Sequence, residues 1–174
     1  MFSVSFKRGW DEYKEGFGAP YGEHWQGNQF AHQYTTSHLT EVILEGTAFD
    51  DEKASVKLSN FRISGEPSKY AANFDTCVAL VDTPNTNGCE KMDGLKNMKF
   101  TTFDSDNDKA NWNCAALHDS GGWWFKRCFN INLNGKYQTT VNTEYATGIH
   151  YFNFRGFTES LRGTKMLLRR QIEI

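Results

Sequence analysis

The sequence predicts an α+β fold: a twisted, mainly antiparallel sheet with short helices, joined to a loop-rich second part. Three observations predict it. Segments 40–46 (TEVILEG), 53–63 (KASVKLSNFRI), Asp75–Val81 and Thr164–Arg170 carry strand-like patterning, and regular periodicity also resumes at Gly148–Phe154. The helical signals are few and short, and no heptad is sustained. From about residue 82 the periodicity vanishes, and Gly, Asn, Asp and Lys dominate until residue 148.

In chain order, residues 10–18 (WDEYKEGFG) read as one or two helical turns ended by Gly. Residues 20–30 (PYGEHWQGNQF) are turn signals with aromatics between them. A short helix is expected over 34–40, capped by Thr35, Thr36 or Ser37. The strands at 40–46 and 53–63 follow, then a connection at 67–73 and the strand ending at Val81. An irregular stretch of some 60 residues is unusual in a compact domain and needs a disulfide, a metal or both to hold it. The expected organisation is a sheet-containing part over 1–90, to which a strand at 164–170 returns, and a loop-rich part over 91–163.

The chain has 174 residues, enough for one domain with its own core. Its net charge of −2 gives no drive towards a polyanion, so nucleic-acid binding is disfavoured. No apolar run approaches the ~20 residues of a membrane span. Charge is uneven: residues 1–90 hold 7 basic and 13 acidic side chains, residues 91–174 hold 12 basic and 8 acidic. Ordinary scatter explains this, and so does a mildly basic second half that favours anionic ligands. Aromatic residues make up 15% of the chain, which suits an irregular fold with ring-lined pockets.

Four cysteines stand at 77, 89, 114 and 128, without the tight pair usual in zinc sites. They allow three connectivities. Pairing sequence neighbours gives Cys77–Cys89 and Cys114–Cys128, each closing a loop worth about 3 kcal/mol. Disulfides imply an oxidising, extracellular compartment. Four reduced, buried cysteines in a cytosolic protein are the other reading. No secretory signal precedes Phe2, so the chain is expected to be a mature fragment.

Residues 104–108 are Asp-Ser-Asp-Asn-Asp. Carboxylates so close repel one another unless solvated or bound to a cation, and hard oxygen ligands select Ca2+. Lys109 and Ala115 occupy the places where an EF-hand needs Gly and Glu. A solvated acidic turn and a calcium loop both fit. Hydrolase, zincin, P-loop and dinucleotide motifs are absent, and His118–Asp119–Ser120 are chain neighbours rather than a triad from separate segments. No enzyme is expected.

The stretch FTTFDSDNDKANWNCAALHDSGGWWFKRCFNINLNGKY, residues 100–137, closely resembles the fibrinogen-like C-terminal domain. GFG at 16–18, GEHWQGN at 22–28, GIHYFNFRG and TKMLLRR follow the same family order. Departures are Gln26 for Leu, Val56 for Tyr, and Tyr151 and Phe154 for two tryptophans. The family's small N-terminal subdomain has no counterpart here, so a truncated domain is expected, with any oligomerising region outside this chain. Cys77 and Cys89 are not the common family pair.

The resemblance implies a Ca2+ site made by the carboxylates of Asp106 and Asp108 and the carbonyls of Ala110 and Trp112, with Asp104 behind them or solvated. Two side-chain charges suit an extracellular site with Kd on the order of 10⁻⁴ to 10⁻³ M. It also implies, as in the lectin members, a pocket for acetyl groups built around Cys114–Cys128. A cis bond at Arg127–Cys128 would aim the amides of Cys128 and Phe129 at one acceptor, with His118, Phe129, Tyr145 and Ala146 around the methyl. Ala146 leaves room for that methyl and adds no charge to attract a peptide amine. Structural alternatives stand beside these roles: Tyr145 and Phe129 as core packing, His118 as a solvated loop residue, Arg127 as merely exposed. Trp123 and Trp124 read as structural.

The leading expectation is a secreted, calcium-dependent lectin that binds N-acetylglucosamine- or N-acetylgalactosamine-type glycans on microbial surfaces in innate immunity. Such contacts are weak singly, so a homo-oligomer is expected in the full-length protein. The alternative is an extracellular domain that engages a protein receptor or matrix protein, as in angiopoietins and tenascins.

Overall fold

A computed structural model describes residues 4–81 and 87–171. Residues 82–86, part of the long irregular stretch, lie outside it. The elements in order are α1 (Trp10–Glu15), β1 (Phe17–Gly18), β2 (His24–Trp25), α2 (Asn28–Ser37), β3 (Thr40–Thr47), β4 (Lys53–Leu58), β5 (Arg62–Ile63), β6 (Ala72–Asn73), β7 (Cys77–Val81), α3 (Cys114–Leu117), β8 (Ile131–Asn132), β9 (His150–Tyr151), α4 (Phe152–Arg155) and β10 (Gly163–Arg170).

The main sheet is antiparallel, in the order β10-β3-β4-β7. Its register sets Leu168 opposite Val42 opposite Leu58, and Met166 opposite Leu44 opposite Val56. Side chains alternate across a sheet, so Val42, Leu44, Val56 and Leu58 share one face, and all four are buried. The other face is mixed: Ile43, Leu167 and Val78 stand among charged residues, and the buried Glu41 takes the Arg169 guanidinium at 2.7 Å. The returning β10 lies at one sheet edge against β3.

The helices differ from the sequence expectation in one place. The segment expected at 34–40 is the end of α2, which begins six residues earlier at Asn28. Thr35 and Thr36 cap nothing. Their hydroxyls donate back to the His32 carbonyl, 3.2 and 2.8 Å away, the mid-helix use of such residues. Two further differences are local. The run expected as one strand over 53–63 breaks after Leu58, where Asn60 adopts a positive φ of 48°. The segment 148–154, where the sequence regains periodicity, is strand only at His150–Tyr151 and then forms the single turn of α4.

The core joins the sheet to the irregular part through stacked rings. Trp124 packs edge-on against Phe61, Phe100 and Trp123, and its indole donates to the Tyr70 carbonyl at 2.8 Å. Tyr13 and Trp25 close on Phe100 from the helical side. Trp123 and Trp124 are therefore structural, as the sequence suggested.

Where strand ladders are missing, asparagine amides satisfy the backbone. Asn107 Nδ2 donates to the Phe100 carbonyl, Asn113 Nδ2 to that of Thr102 and Asn134 Nδ2 to that of Gly122, each at 2.9 Å. Close backbone approach adds to this. A Cβ on Gly135 would stand 1.8 Å from the Gly148 carbonyl oxygen, so only glycine fits. Asp104 belongs to the same framework. Its carboxylate accepts the Trp10 amide at 3.0 Å and the Thr102 hydroxyl at 2.6 Å, tying the start of α1 to the acidic loop. It is thus neither free nor merely solvated.

Asp104→Ala should remove that cap and cost about 1 kcal/mol. For a chain of this size that is a fall of about 2–4 °C in melting temperature, readable by circular dichroism. An unchanged transition would mean the carboxylate does not hold α1.

Candidate functional site

The acidic loop leads from the buried Thr101 and Thr102 to α3. Thr101 and Trp123 form an isolated antiparallel bridge, which anchors the loop on the core. Asp108 closes it. One carboxylate oxygen accepts the Ala110 amide at 2.8 Å and the other the Cys114 amide at 2.9 Å. Asn113 caps α3 by accepting the Ala116 amide at 2.9 Å. Asp106 is exposed and accepts the Asp108 amide at 3.3 Å.

Burial raises the Asp108 pKa above its ordinary value, and the neighbouring Asp106 charge adds to the rise. No basic side chain pairs with either carboxylate among the described residues. The carbonyls of Ala110 and Trp112 accept no hydrogen bond there either. No group of three or more His, Cys, Asp or Glu side chains could hold a metal among the described residues. A cation here would depend on backbone carbonyls beside two carboxylates. That all-oxygen set suits Ca2+ rather than a softer metal.

Both expected disulfides are present, Cys77–Cys89 and Cys114–Cys128, with Cα–Cα separations of 5.7 and 5.6 Å. The second joins the first residue of α3 to the segment that follows Trp123–Phe125. The Arg127–Cys128 peptide is cis. The amides of Cys128 and Phe129 donate to no protein acceptor among the described residues.

Around these amides lies a cluster of rings. His118 meets Phe129 edge-on at 5.2 Å, Phe129 meets Phe157 at 5.6 Å, and Phe157 meets Tyr145 at 5.4 Å. Tyr145 is 70% exposed, so it is not core packing. Ala146 is buried, with a positive φ of 57°, and its amide donates to the Phe157 carbonyl at 2.7 Å. His118 and Phe129 are half-buried. Arg127 is exposed, with its guanidinium 5.7 Å over the Trp112 ring. The structure thus gathers His118, Phe129, Tyr145 and Ala146 at one place, beside Cys128.

Two members of the cluster escaped the sequence reading. Phe157 is its hub, and His150 lies parallel to Phe129 with ring centres 6.4 Å apart. His150 is fully buried: Nδ1 lies 3.1 Å from the Glu159 carbonyl, and Nε2 has no partner. No spacing rule links 118, 129, 145, 150 and 157, and only the GIHYFNFRG motif pointed near them. Burial lowers the pKa of both His118 and His150 below the ordinary 6.5, so both rings favour the neutral form.

The arrangement offers backbone donors unpaired among the described residues, rings that favour the neutral form and an exposed tyrosine. No helix of the described residues is long and apolar enough to cross a membrane.

Comparison with known proteins agrees with this geometry. The family profile described as fibrinogen beta and gamma chains, C-terminal globular domain, matches residues 2–171. Angiopoietin-2 of Rattus norvegicus is 37% identical over 168 residues, covering 96% of this chain and 32% of that protein. Microfibril-associated glycoprotein 4 of Homo sapiens is 38% identical over 169 residues, covering 97% of this chain and 65% of that protein. The chain therefore spans about a third of the length of the angiopoietin it matches. The fibrinogen-like globe domain of human ANGPTL6 superposes with a TM-score of 0.88 at 29% identity, over 98% of this chain and 74% of that one. Lamprey fibrin D-dimer, solved in complex with the peptide ligand Gly-His-Arg-Pro-amide, gives 0.83 at 26% identity, over 98% and 60%. With its sheet order, its ring-packed core and its second disulfide in place, this chain belongs to the fibrinogen C-terminal domain family.

Proposed function

We propose that this chain is a secreted, non-catalytic recognition domain that engages a protein partner, a receptor or a matrix component. The face used is the one carrying Tyr145 and the rings around Phe129. The single observation behind this is the exposure of Tyr145 on a braced aromatic cluster: a rigid ring with a polar tip is the kind of anchor that protein interfaces use. The relatives named angiopoietin and microfibril-associated glycoprotein support the same reading. So does the peptide carried by the lamprey fibrin fragment. Two disulfides fit an oxidising, extracellular setting.

A second reading is favoured by one observation. The unpaired amides of Cys128 and Phe129, and the small Ala146 held at Phe157 in the same ring cluster, suit the carbonyl and methyl of an acetamide. An N-acetylhexosamine on a microbial glycan would supply both. In either reading Ca2+, held by Asp106, Asp108 and the carbonyls of Ala110 and Trp112, neutralises the acidic loop and steadies the start of α3.

Screening the domain against an array of extracellular ectodomains, alongside N-acetylglucosamine and glucosamine, separates the two. A captured ectodomain lost on Tyr145→Ala is the expected result. Binding of N-acetylglucosamine over glucosamine, without any ectodomain, would move the function to the lectin reading.

Calcium is tested by melting. At a hundredfold excess over Kd it should stabilise the fold by about 2.7 kcal/mol, or about 5–10 °C. Asp106→Asn and Asp108→Asn should each lose most of that increment, whereas Asp104→Ala should keep it. Equal melting with calcium and with chelator would remove the metal.

The two histidines set a pH dependence. Their pKa values are depressed in the fold, so the stability they contribute is complete above 6.5 and declines as pH falls through the folded values. The melting temperature should therefore drop between pH 7.5 and 5, and His118→Phe should flatten the profile. An identical profile in the variant would contradict this.

A further inference from the structure

Along the Lys126–Ile131 segment lies a cavity that shares Cys128 and Phe129 with the site above but is lined by none of His118, Tyr145 and Ala146. Its volume is about 190 Å³. Leu95, Trp124 and Ile131, all buried, form the apolar floor. Lys91, Lys126 and Arg127 surround it, and no carboxylate lines it. We propose that this cavity is an anion-binding subsite that takes an aryl sulfate, the sulfated tyrosine side chain of a protein partner. The inference rests on the reading that the partner is a protein.

Two of the cations are braced rather than loose. The Arg127 guanidinium sits 5.7 Å over the Trp112 ring, and the Lys91 ammonium 5.3 Å over the Phe152 ring. Their charges are largely unspent. Lys126 and Arg127 form no ion pair among the described residues, and Lys91 reaches only the exposed Glu90, at 3.8 Å. The Asn130 side chain, which also lines the cavity, has no hydrogen-bond partner among the described residues. Field lines from several cations around a low-dielectric floor concentrate an anion there.

Size and floor narrow the ligand. The cavity is smaller than the ~300 Å³ lower bound of drug-sized sites, so it holds one side chain or one ring. A sugar ring would press hydroxyls against Leu95, Trp124 and Ile131 without partners, at a desolvation cost. An aromatic ring would not. A sulfate at its far end would meet the three cations and the Asn130 amide.

The probe is a short acidic peptide with a central sulfotyrosine, titrated by calorimetry into the calcium-loaded domain at low and high salt. The unsulfated peptide, its phosphotyrosine counterpart and a heparin-derived tetrasaccharide are the comparison arms. The sulfated peptide should bind best and weaken as salt rises. Lys91→Ala and Lys126→Ala should each weaken it about three- to fivefold, the scale of an exposed charge pair. Both lysines are on the surface, so these variants should melt like the parent. Equal binding of sulfated and unsulfated peptide, no effect of either lysine, or tighter binding of the tetrasaccharide would overturn the subsite. Sulfopeptide binding by a domain that captures no ectodomain would support the subsite while removing the protein-partner reading on which its physiological use rests.

Discussion

The Asp108 carboxylate is the tie on which the proposed recognition face depends. One oxygen holds the Ala110 amide and the other the Cys114 amide. A single side chain thus closes the acidic loop and fixes the first turn of α3, whose first residue is bridged to Cys128. Cys128 leads directly into Phe129, and Phe129 into the ring cluster that presents Tyr145. The tie carries a cost of its own. Burial and the neighbouring Asp106 both work against the charged form that accepts these amides best. A divalent cation between the two carboxylates would reverse both effects, which is the physical case for calcium here.

The rest of the second half obeys one accounting rule: a buried backbone group needs a partner. With few strands available, Asn107, Asn113, Asn134 and Asn153 supply the partners from their side chains. Rings then fill the space between sheet and loops, from Trp10 and Tyr13 through Phe100 to Trp124. The outcome is an irregular region as well buried as the sheet, yet free to vary its outer face. A recognition domain needs that division between a fixed frame and an adaptable surface.

Much of this was legible in the sequence, for identifiable reasons. β3, β4 and β10 were legible because each sets apolar residues at alternate positions on one buried or half-buried face, although Ile43 and Leu167 add apolar residues on the other. Cysteine pairing by sequence neighbours matched the fold because both loops are short. The grouping of His118, Phe129, Tyr145 and Ala146 came from family resemblance, not from spacing. What stayed hidden depends on long-range contact. Thr35 and Thr36 look like helix caps until α2 is seen to run past them: Thr35 is turned inward against β5, where its oxygen accepts the Ile63 amide, and Thr36 stays exposed, bonded back to the His32 carbonyl. Asp104 looks like a third member of an acidic cluster until the chain brings Trp10 to it, 94 positions away. Phe157 and His150 gain meaning only once four separate segments meet.

The most direct test of the account is an anomalous difference map from crystals of this domain soaked in a lanthanide that replaces calcium. The account predicts one strong peak between the Asp106 and Asp108 carboxylates and the Ala110 and Trp112 carbonyls, with the Asp108 contacts to Ala110 and Cys114 intact. A map with no peak there, or with Asp108 turned away from the Cys114 amide, would contradict it.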